Sequence, residues 1–249
     1  MKVAAIIPAA GLGTRMGRGT SRKQFMLLDG DPILVHTIRK FLACPAVNEI
    51  VVALRNEDLD WFGELLRREN PPKPVRLVAG GDHRQASVRN GLAAVSAEIE
   101  LAAVHDAVRP FVSVELIERV IAEAARTGAT ILAIPPVDTV KQVHRTTIRS
   151  TLPRERIVLA QTPQVFGVEL LRRAFEQAEK DGLVGTDEAS LVEHLDVDIM
   201  VVLGSDRNIK ITRPSDMALA RMFLQEELSA ISDQPSATTR ARRGLTAES

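Results

Sequence analysis

With 249 residues, 45% of them hydrophobic and 26% charged, the chain has the composition of an ordinary soluble globule, long enough for one large or two small domains. Lys+Arg and Asp+Glu both total 32, so no global field draws in nucleic acid or an anionic membrane. The single cysteine, Cys44, excludes an internal disulfide and a cysteine zinc cluster, and no apolar run approaches the ~20 residues that span a bilayer.

The opening MKVAAIIPAAG places one lysine before an apolar run that breaks at Pro8, too short for a signal peptide; a cytoplasmic location is expected. Within it, residues 3–7 are wholly apolar, as suits a strand covered on both faces of a parallel sheet. Asp31-Pro32 offers an N-cap followed by proline at the first helical position, and Ile33, Leu34, Ile38, Phe41 and Leu42 repeat behind it at helical spacing. Residues 49–54 read as the next buried strand. Asn56 is placed to cap a helix with Leu59, Phe62, Leu65 and Leu66 on its apolar face. A strand at 75–79 runs into Gly80-Gly81, followed by a helix carrying Val88, Leu92 and Val95 and a strand at 101–104. Ser113 opens a helix with Leu116, Ile117, Val120, Ile121 and Ala124 on one face, closed by Gly128, and 130–134 is a further strand.

This alternation predicts an α/β fold, a doubly wound and mostly parallel sheet, whose ligands bind at the carboxyl ends of the strands. The pattern breaks over 136–159, which is rich in Thr, Val and Ile but too polar for a core; an extended β-hairpin arm protruding from the body is expected, and excursions of that length are usually functional. Helix 168–180, strand 198–203, an extended segment at 208–212 and a last helix near 216–228 complete a single domain over 1–228. From 229 to 249 the chain is Ser, Thr, Ala and Arg without period, which reads as a disordered tail.

Chemistry-bearing residues follow the apolar runs. PAAGLGTRMG, residues 8–17, is a glycine-rich turn after the first strand, the place where backbone N–H groups approach phosphates. It satisfies neither the dinucleotide pattern nor the Walker pattern. No acid occurs before Asp29, yet Arg15, Arg18, Arg22 and Lys23 all follow the first strand. For Arg15 and Lys23 triphosphate binding is the favoured reading; Arg18 and Arg22 read as solvated surface cations. VHDAVRP puts Asp106 at a carboxyl end, where it can hold Mg²⁺ or a substrate hydroxyl, or simply pair with Arg109. Gly80-Gly81-Asp82 with Ser87 suits either base recognition or a plain turn into a helix. Thr186-Asp187-Glu188 reads as a helix start with Thr186 as N-cap. Lys210, between Ile209 and Ile211, is expected to face away from the core with Asn208 and Thr212. The five histidines show no metal-ligand spacing.

PAAGLGTRMG, Lys23-Gln24, Gly80-Gly81-Asp82, HDAVRP, Asp138-Thr139, Thr162-Pro163-Gln164, Thr186-Asp187-Glu188-Ala189-Ser190 and Asn208-Ile209-Lys210 stand together in the order and spacing of one family. On these motifs the chain resembles the 2-C-methyl-D-erythritol 4-phosphate cytidylyltransferases of isoprenoid synthesis, from residue 1 to about 227. It departs at Arg22, where relatives often carry proline. The resemblance implies a Rossmann-like nucleotidyltransferase that moves CMP from CTP to a polyol phosphate and releases pyrophosphate. Arg15, Lys23, Arg154 and Lys210 are then the catalytic residues. Ala9, Ala10, Gly11, Gly13, Gly80, Asp82 and Ser87 hold CTP, and Asp106, Arg109, Thr139 and Thr162 hold the polyol phosphate. Mg²⁺ is held mainly by the CTP phosphates, with Asp106 a candidate ligand. The arm crosses into a second copy, so a homodimer is implied, with no nucleic-acid or membrane partner. Alternative readings are a ribitol 5-phosphate cytidylyltransferase, a sugar 1-phosphate nucleotidyltransferase, an NAD-dependent oxidoreductase and a non-catalytic nucleotide sensor. The oxidoreductase lacks its third glycine and an acid after the second strand, where Leu54-Arg55 stands.

Overall fold

The structure, a computed structural model, describes residues 1–11 and 22–232; Gly13, Arg15, Arg18 and the tail from 233 onward lie outside the described residues. In chain order the elements are β1 (Val3–Pro8), β2 (Leu27–Leu28), β3 (Asp31–Pro32), α1 (Ile33–Ala43), β4 (Glu49–Leu54), α2 (Leu59–Glu69), β5 (Val75–Ala79), α3 (Arg84–Ala93), β6 (Leu101–Val104), α4 (Val114–Thr127), β7 (Ala129–Ile134), β8 (Lys141–His144), β9 (Thr147–Thr151), β10 (Leu159–Gly167), α5 (Val168–Lys180), α6 (Glu188–Glu193), β11 (Met200–Leu203) and α7 (Pro214–Ser232).

Seven strands form the main sheet in the order β11-β7-β10-β6-β1-β4-β5. All run parallel except β10, which is antiparallel to both of its neighbours. β1, β4 and β6 read as nearly unbroken apolar runs because both faces are covered. In β1, Val3, Ala5 and Ile7 enter one core with α1, α2 and α4, while Ala4 and Ile6 enter the other with α3, α5 and α6. Each large side chain buried this way contributes about 1.5–3 kcal/mol. From β1 the chain builds outward through β4 to β5, then returns to place β6 on the other side of β1. The carboxyl ends of β1 and β6 therefore flank the switch point of the sheet, the position at which doubly wound folds open a ligand crevice.

Several helix starts differ from expectation. Asp31 does not cap α1: it lies in the short β3, paired with β2, and its carboxylate holds Arg39. Asn56 begins a 3₁₀ turn, Asn56–Asp58, that precedes α2. Ser113 and Gly128 do bracket α4, the hydroxyl accepting from the Leu116 N–H and the glycine at φ +85°. The last helix runs past residue 228 to Ser232, and Asp216 closes its start by accepting from the backbone N–H groups of Thr212 and Arg213. The segment 208–212 forms no strand, and β11 begins at Met200 rather than at 198.

The polar excursion is a two-stranded arm: β8 and β9 pair antiparallel, with Arg145 at φ +53° in the connecting turn. Val137, Val143 and Ile148 on it are exposed. Among the described residues no helix is long and apolar enough to cross a membrane.

Candidate active site

A cavity of about 610 Å³ opens at the carboxyl ends of β1, β4, β5 and β6. Its floor is the β1 exit, Pro8 to Gly11; its walls are Lys23, Arg55, Gly80 to Arg84, Ser87, Asp106 to Val108 and Lys210. Every expected nucleotide residue among those described lies here: Ala9, Ala10, Gly11, Gly80, Asp82 and Ser87, with Lys23 beside them.

The glycines are required by close approach. A Cβ on Gly80 would stand 2.5 Å from the Ala10 Cβ, and one on Gly81 would stand 2.4 Å from the Ala86 Cβ. Ser87 Oγ completes the turn, accepting from the Gly81 N–H at 3.1 Å and donating to the His83 carbonyl at 3.1 Å. His83 caps α3 through Nδ1, which accepts from the Ala86 N–H. The plain-turn reading of this segment holds, and the turn forms part of the pocket wall.

Asp106 is the electrostatic centre. Its carboxylate accepts from Arg84 Nε at 3.3 Å, Arg109 Nε at 3.2 Å and Lys210 Nζ at 2.9 Å. Burial alone would raise its pKa, but the cations of Arg84, Lys210 and Arg109 hold it far below the usual carboxylate range. The ion-pair reading of Arg109 is what the structure shows: Asp106 lines the main cavity, whereas Arg109 holds it from the neighbouring hollow. With three cations on its oxygens Asp106 is poor as a metal ligand, and among the described residues no three His, Cys, Asp or Glu side chains gather as a metal site.

Lys210 reaches Asp106 because Ile211 and Ile209 pack into a third small core with Val108 and Phe111, and the Ile211 N–H bonds the Val108 carbonyl. Asn208 does not share its side. It is buried, with Nδ2 donating to Thr162 O at 2.9 Å and Gln161 Oε1 at 3.2 Å, and its carbonyl accepts from Arg109.

The antiparallel β10 was unreadable as a central strand, because Thr162-Pro163-Gln164 interrupts its apolar run and proline cannot donate to a ladder. The register shifts between Ala160 and Gln164, turning Thr162 to the site, where Oγ1 accepts from the Asp106 N–H at 3.1 Å and meets His105 Nδ1. Burial lowers the His105 pKa to about 4, so its imidazole stays neutral and serves as scaffold. Thr162, Arg109, Lys210, Asp106 and Thr186 border a second hollow of about 160 Å³ beside the main cavity. Thr186 itself is not the N-cap; Asp187 is, accepting from the Ser190 N–H at 3.0 Å.

Two of the expected residues stand apart. Thr139 and Arg154 lie on the arm and its base and line neither hollow; Arg154 Nη1 donates to the Val137 carbonyl at 3.3 Å. The sequence pattern gave no sign of Arg84, and it marked Glu188 only as part of a helix start. Arg84 opens α3 and joins Asp106 to the fully buried Glu188, 2.7 Å away. Burial pushes the Glu188 carboxyl up, against the pull of Arg84. An acid two residues past a helix N-cap motif reads as a dipole partner on sequence alone; only the fold brings it under Arg84, which is 104 residues away in the chain.

Comparison with known proteins completes the assignment. The profile of the family described as 2-C-methyl-D-erythritol 4-phosphate cytidylyltransferase matches residues 3–226. The chain belongs to that family. It is 60% identical over 237 residues to the 2-C-methyl-D-erythritol 4-phosphate cytidylyltransferase of Solibacter usitatus, covering 91% of this chain and 97% of the relative. The protein of the same name from Acidobacterium capsulatum is 48% identical over 238 residues, covering 92% and 100%. Among solved structures, the 4-diphosphocytidyl-2C-methyl-D-erythritol synthase of Anaerococcus prevotii superposes with a TM-score of 0.79 at 31% identity, over 90% of this chain and 98% of its own. The Thermus thermophilus cytidylyltransferase gives 0.73 at 35%, over 90% and 100%. As a member of this cytidylyltransferase family the chain is a nucleotidyltransferase, and the oxidoreductase and sensor readings fall away. Arg55, which follows β4 where an oxidoreductase would carry an acid, lines the main cavity and donates through Nε to Glu57 at 2.7 Å.

Proposed function

We propose that the chain transfers CMP from CTP to 2-C-methyl-D-erythritol 4-phosphate, releasing pyrophosphate, in the non-mevalonate isoprenoid pathway. The observation that carries the reading is the meeting, at one switch-point cavity, of a glycine-walled nucleotide pocket with Asp106 and Lys210, Asp106 being held also by Arg109 from the adjoining hollow. The phosphate oxygen of the polyol attacks the α-phosphorus of CTP, a P–O bond forms, and the bond to the departing pyrophosphate breaks. Such displacement asks the protein for positioning and charge neutralisation rather than a nucleophilic side chain. Ala9, Ala10, Gly11, Gly80, Asp82 and Ser87 hold the nucleotide. Lys23 faces the triphosphate and neutralises charge on the α-phosphoryl group; Arg15 and Gly13, outside the described residues, are assigned to the same group from the family motif alone. Asp106, kept ionised by its three cations, accepts from substrate hydroxyls; Arg109 and Thr162 shape that side, and Lys210 aligns the attacking phosphate. A Mg²⁺ held by the CTP phosphates would supply further neutralisation of the negative charge that the attack must approach.

Thr139 and Arg154 are proposed to serve the site of a second copy. The edge strand β11 exposes Met200, Val201 and Leu203, and the arm exposes Val143 and Ile148, apolar surface that a homodimer would cover. A cytoplasmic enzyme without nucleic-acid or membrane partners is the accompanying reading.

The test is pyrophosphate release with CTP and Mg²⁺ against a panel of polyol phosphates. Turnover is expected with 2-C-methyl-D-erythritol 4-phosphate; preference for ribitol 5-phosphate, or for UTP or GTP with a sugar 1-phosphate, would overturn the substrate assignment. Lys210→Ala in the same assay is expected to raise the polyol phosphate KM about tenfold or more and lower kcat, because the ammonium both binds and aligns that phosphate. The KM for CTP should move far less. Unchanged polyol kinetics would remove Lys210 from the mechanism.

A further inference from the structure

The short 3₁₀ turn Lys23–Phe25 carries the lysine that faces the triphosphate, and its two chain neighbours are both tied down. Before it, Arg22 forms an ion pair with Asp58, a carboxylate only 2% exposed. A second acid, Glu57, lies 3.6 Å from the same guanidinium. Trp61 Nε1 donates to the other Asp58 oxygen at 3.1 Å, and the Trp61 ring meets Phe25 edge-on at 4.8 Å. The Arg22 guanidinium also stands 5.6 Å over the Phe25 ring, within reach of a cation–π contact. After it, the buried Gln24 donates through Nε2 to the Ala9 carbonyl at 2.7 Å and the Gly11 carbonyl at 3.1 Å. One anchor ties the turn to the start of α2, the other to the exit of β1. Arg22 is thus no solvated surface cation, as its sequence context suggested; the buried acid that holds it lies 36 residues away in the chain.

We propose that Arg22 is a positioning residue for Lys23: its clamp on Asp58, acting with the Gln24 bonds, fixes the turn so that the lysine ammonium meets the reacting phosphoryl group. This rests on the role given to Lys23 above. The backbone of Arg22 has φ −66°, the value a proline ring enforces. The clamp therefore restrains by a side-chain contact a backbone conformation that a proline ring would hold covalently. Misplacement of a reacting group by about 1 Å can cost about a hundredfold in rate, so an anchor next to the lysine is worth building.

The experiment compares steady-state kinetics and melting temperatures of Arg22→Ala, Lys23→Ala, the double variant of the two, and Arg22→Pro combined with Asp58→Asn. Arg22→Ala is expected to lower kcat about ten- to hundredfold, with both KM values within about threefold of wild type. In the Lys23→Ala background the same change should cost nothing more, because both act through one ammonium. The proline and asparagine pair, which leaves no buried charge unpaired, should recover most of the turnover and keeps the test open if Arg22→Ala folds poorly. Wild-type kcat in Arg22→Ala, an equal loss in both backgrounds, or a proline variant as slow as the alanine one would each overturn the proposal. Near-normal turnover in Lys23→Ala alone would instead overturn the role of the lysine.

Discussion

Lys23→Ala is expected to lower kcat by about 10²–10³ while leaving the KM for CTP within a few-fold of wild type. The magnitude is that of removing one stabilising group from a transition state that gathers negative charge, about 2.7–4 kcal/mol. The split between kcat and KM follows from when the charge matters. In the proposed mode the Gly80-Gly81 wall, Ser87 and the β1 exit, all lining the one cavity, would hold the nucleotide at several points independent of Lys23. The α-phosphoryl group gathers additional negative charge only as the polyol oxygen approaches and pyrophosphate departs. An ammonium placed at that point stabilises the transition state more than the bound substrate, and its removal therefore appears in kcat. Single-turnover measurements with saturating CTP would isolate the chemical step from product release. If the loss fell wholly on the KM for CTP, Lys23 would be a binding residue; if neither constant moved, it would have no part in the reaction.

The fold was legible where two faces of the sheet impose one pattern. β1, β4 and β6 are apolar at every interior position, and β7 at all but Thr130, because alternate residues feed different cores, and amphipathic helices between them leave one architecture open. β10 was not legible. A strand that enters antiparallel between parallel neighbours breaks the alternation, and its Thr-Pro-Gln stretch, which the register shift turns to the site, is what disguises it. The helix starts failed at short range for a related reason: Asp31 and Asn56 have the side chains of caps, yet Asp31 is held by Arg39 and Asn56 opens a 3₁₀ turn. Site residues that sit directly after apolar strands, Asp106 above all, could be read from position. Arg84, Glu188 and the Arg22–Asp58 pair could not, because each depends on a partner far along the chain. Buried ionic partners are a property of the fold, and no local pattern announces them.

Mixing two crippled chains should restore activity. Arg154 stands at the base of the arm, outside both hollows around Asp106, whereas Lys23 lines the main cavity of its own subunit. If the arm reaches across a two-fold interface, each active site combines the Lys23 of one copy with the Arg154 of the other. The exposed Val143 and Ile148 of the arm, and the exposed apolar edge at β11, are surfaces that such an embrace would bury. An Arg154→Ala chain and a Lys23→Ala chain, each nearly inactive alone, then complement one another. In a mixed dimer the body of the Arg154→Ala subunit keeps its lysine and receives an intact arm from its partner, while the opposite site carries both lesions. Random exchange makes about half of all dimers mixed, with one good site in each, so recovery should approach about a quarter of the wild-type activity per site. Subunit exchange is verified independently by co-purification of differently tagged chains. If exchanged mixtures stay as inactive as their parents, Arg154 serves its own subunit or none, and the shared site is wrong. Recovery near a quarter cannot arise from an arm that folds back on its own body, since every site would then carry one lesion whatever its partner.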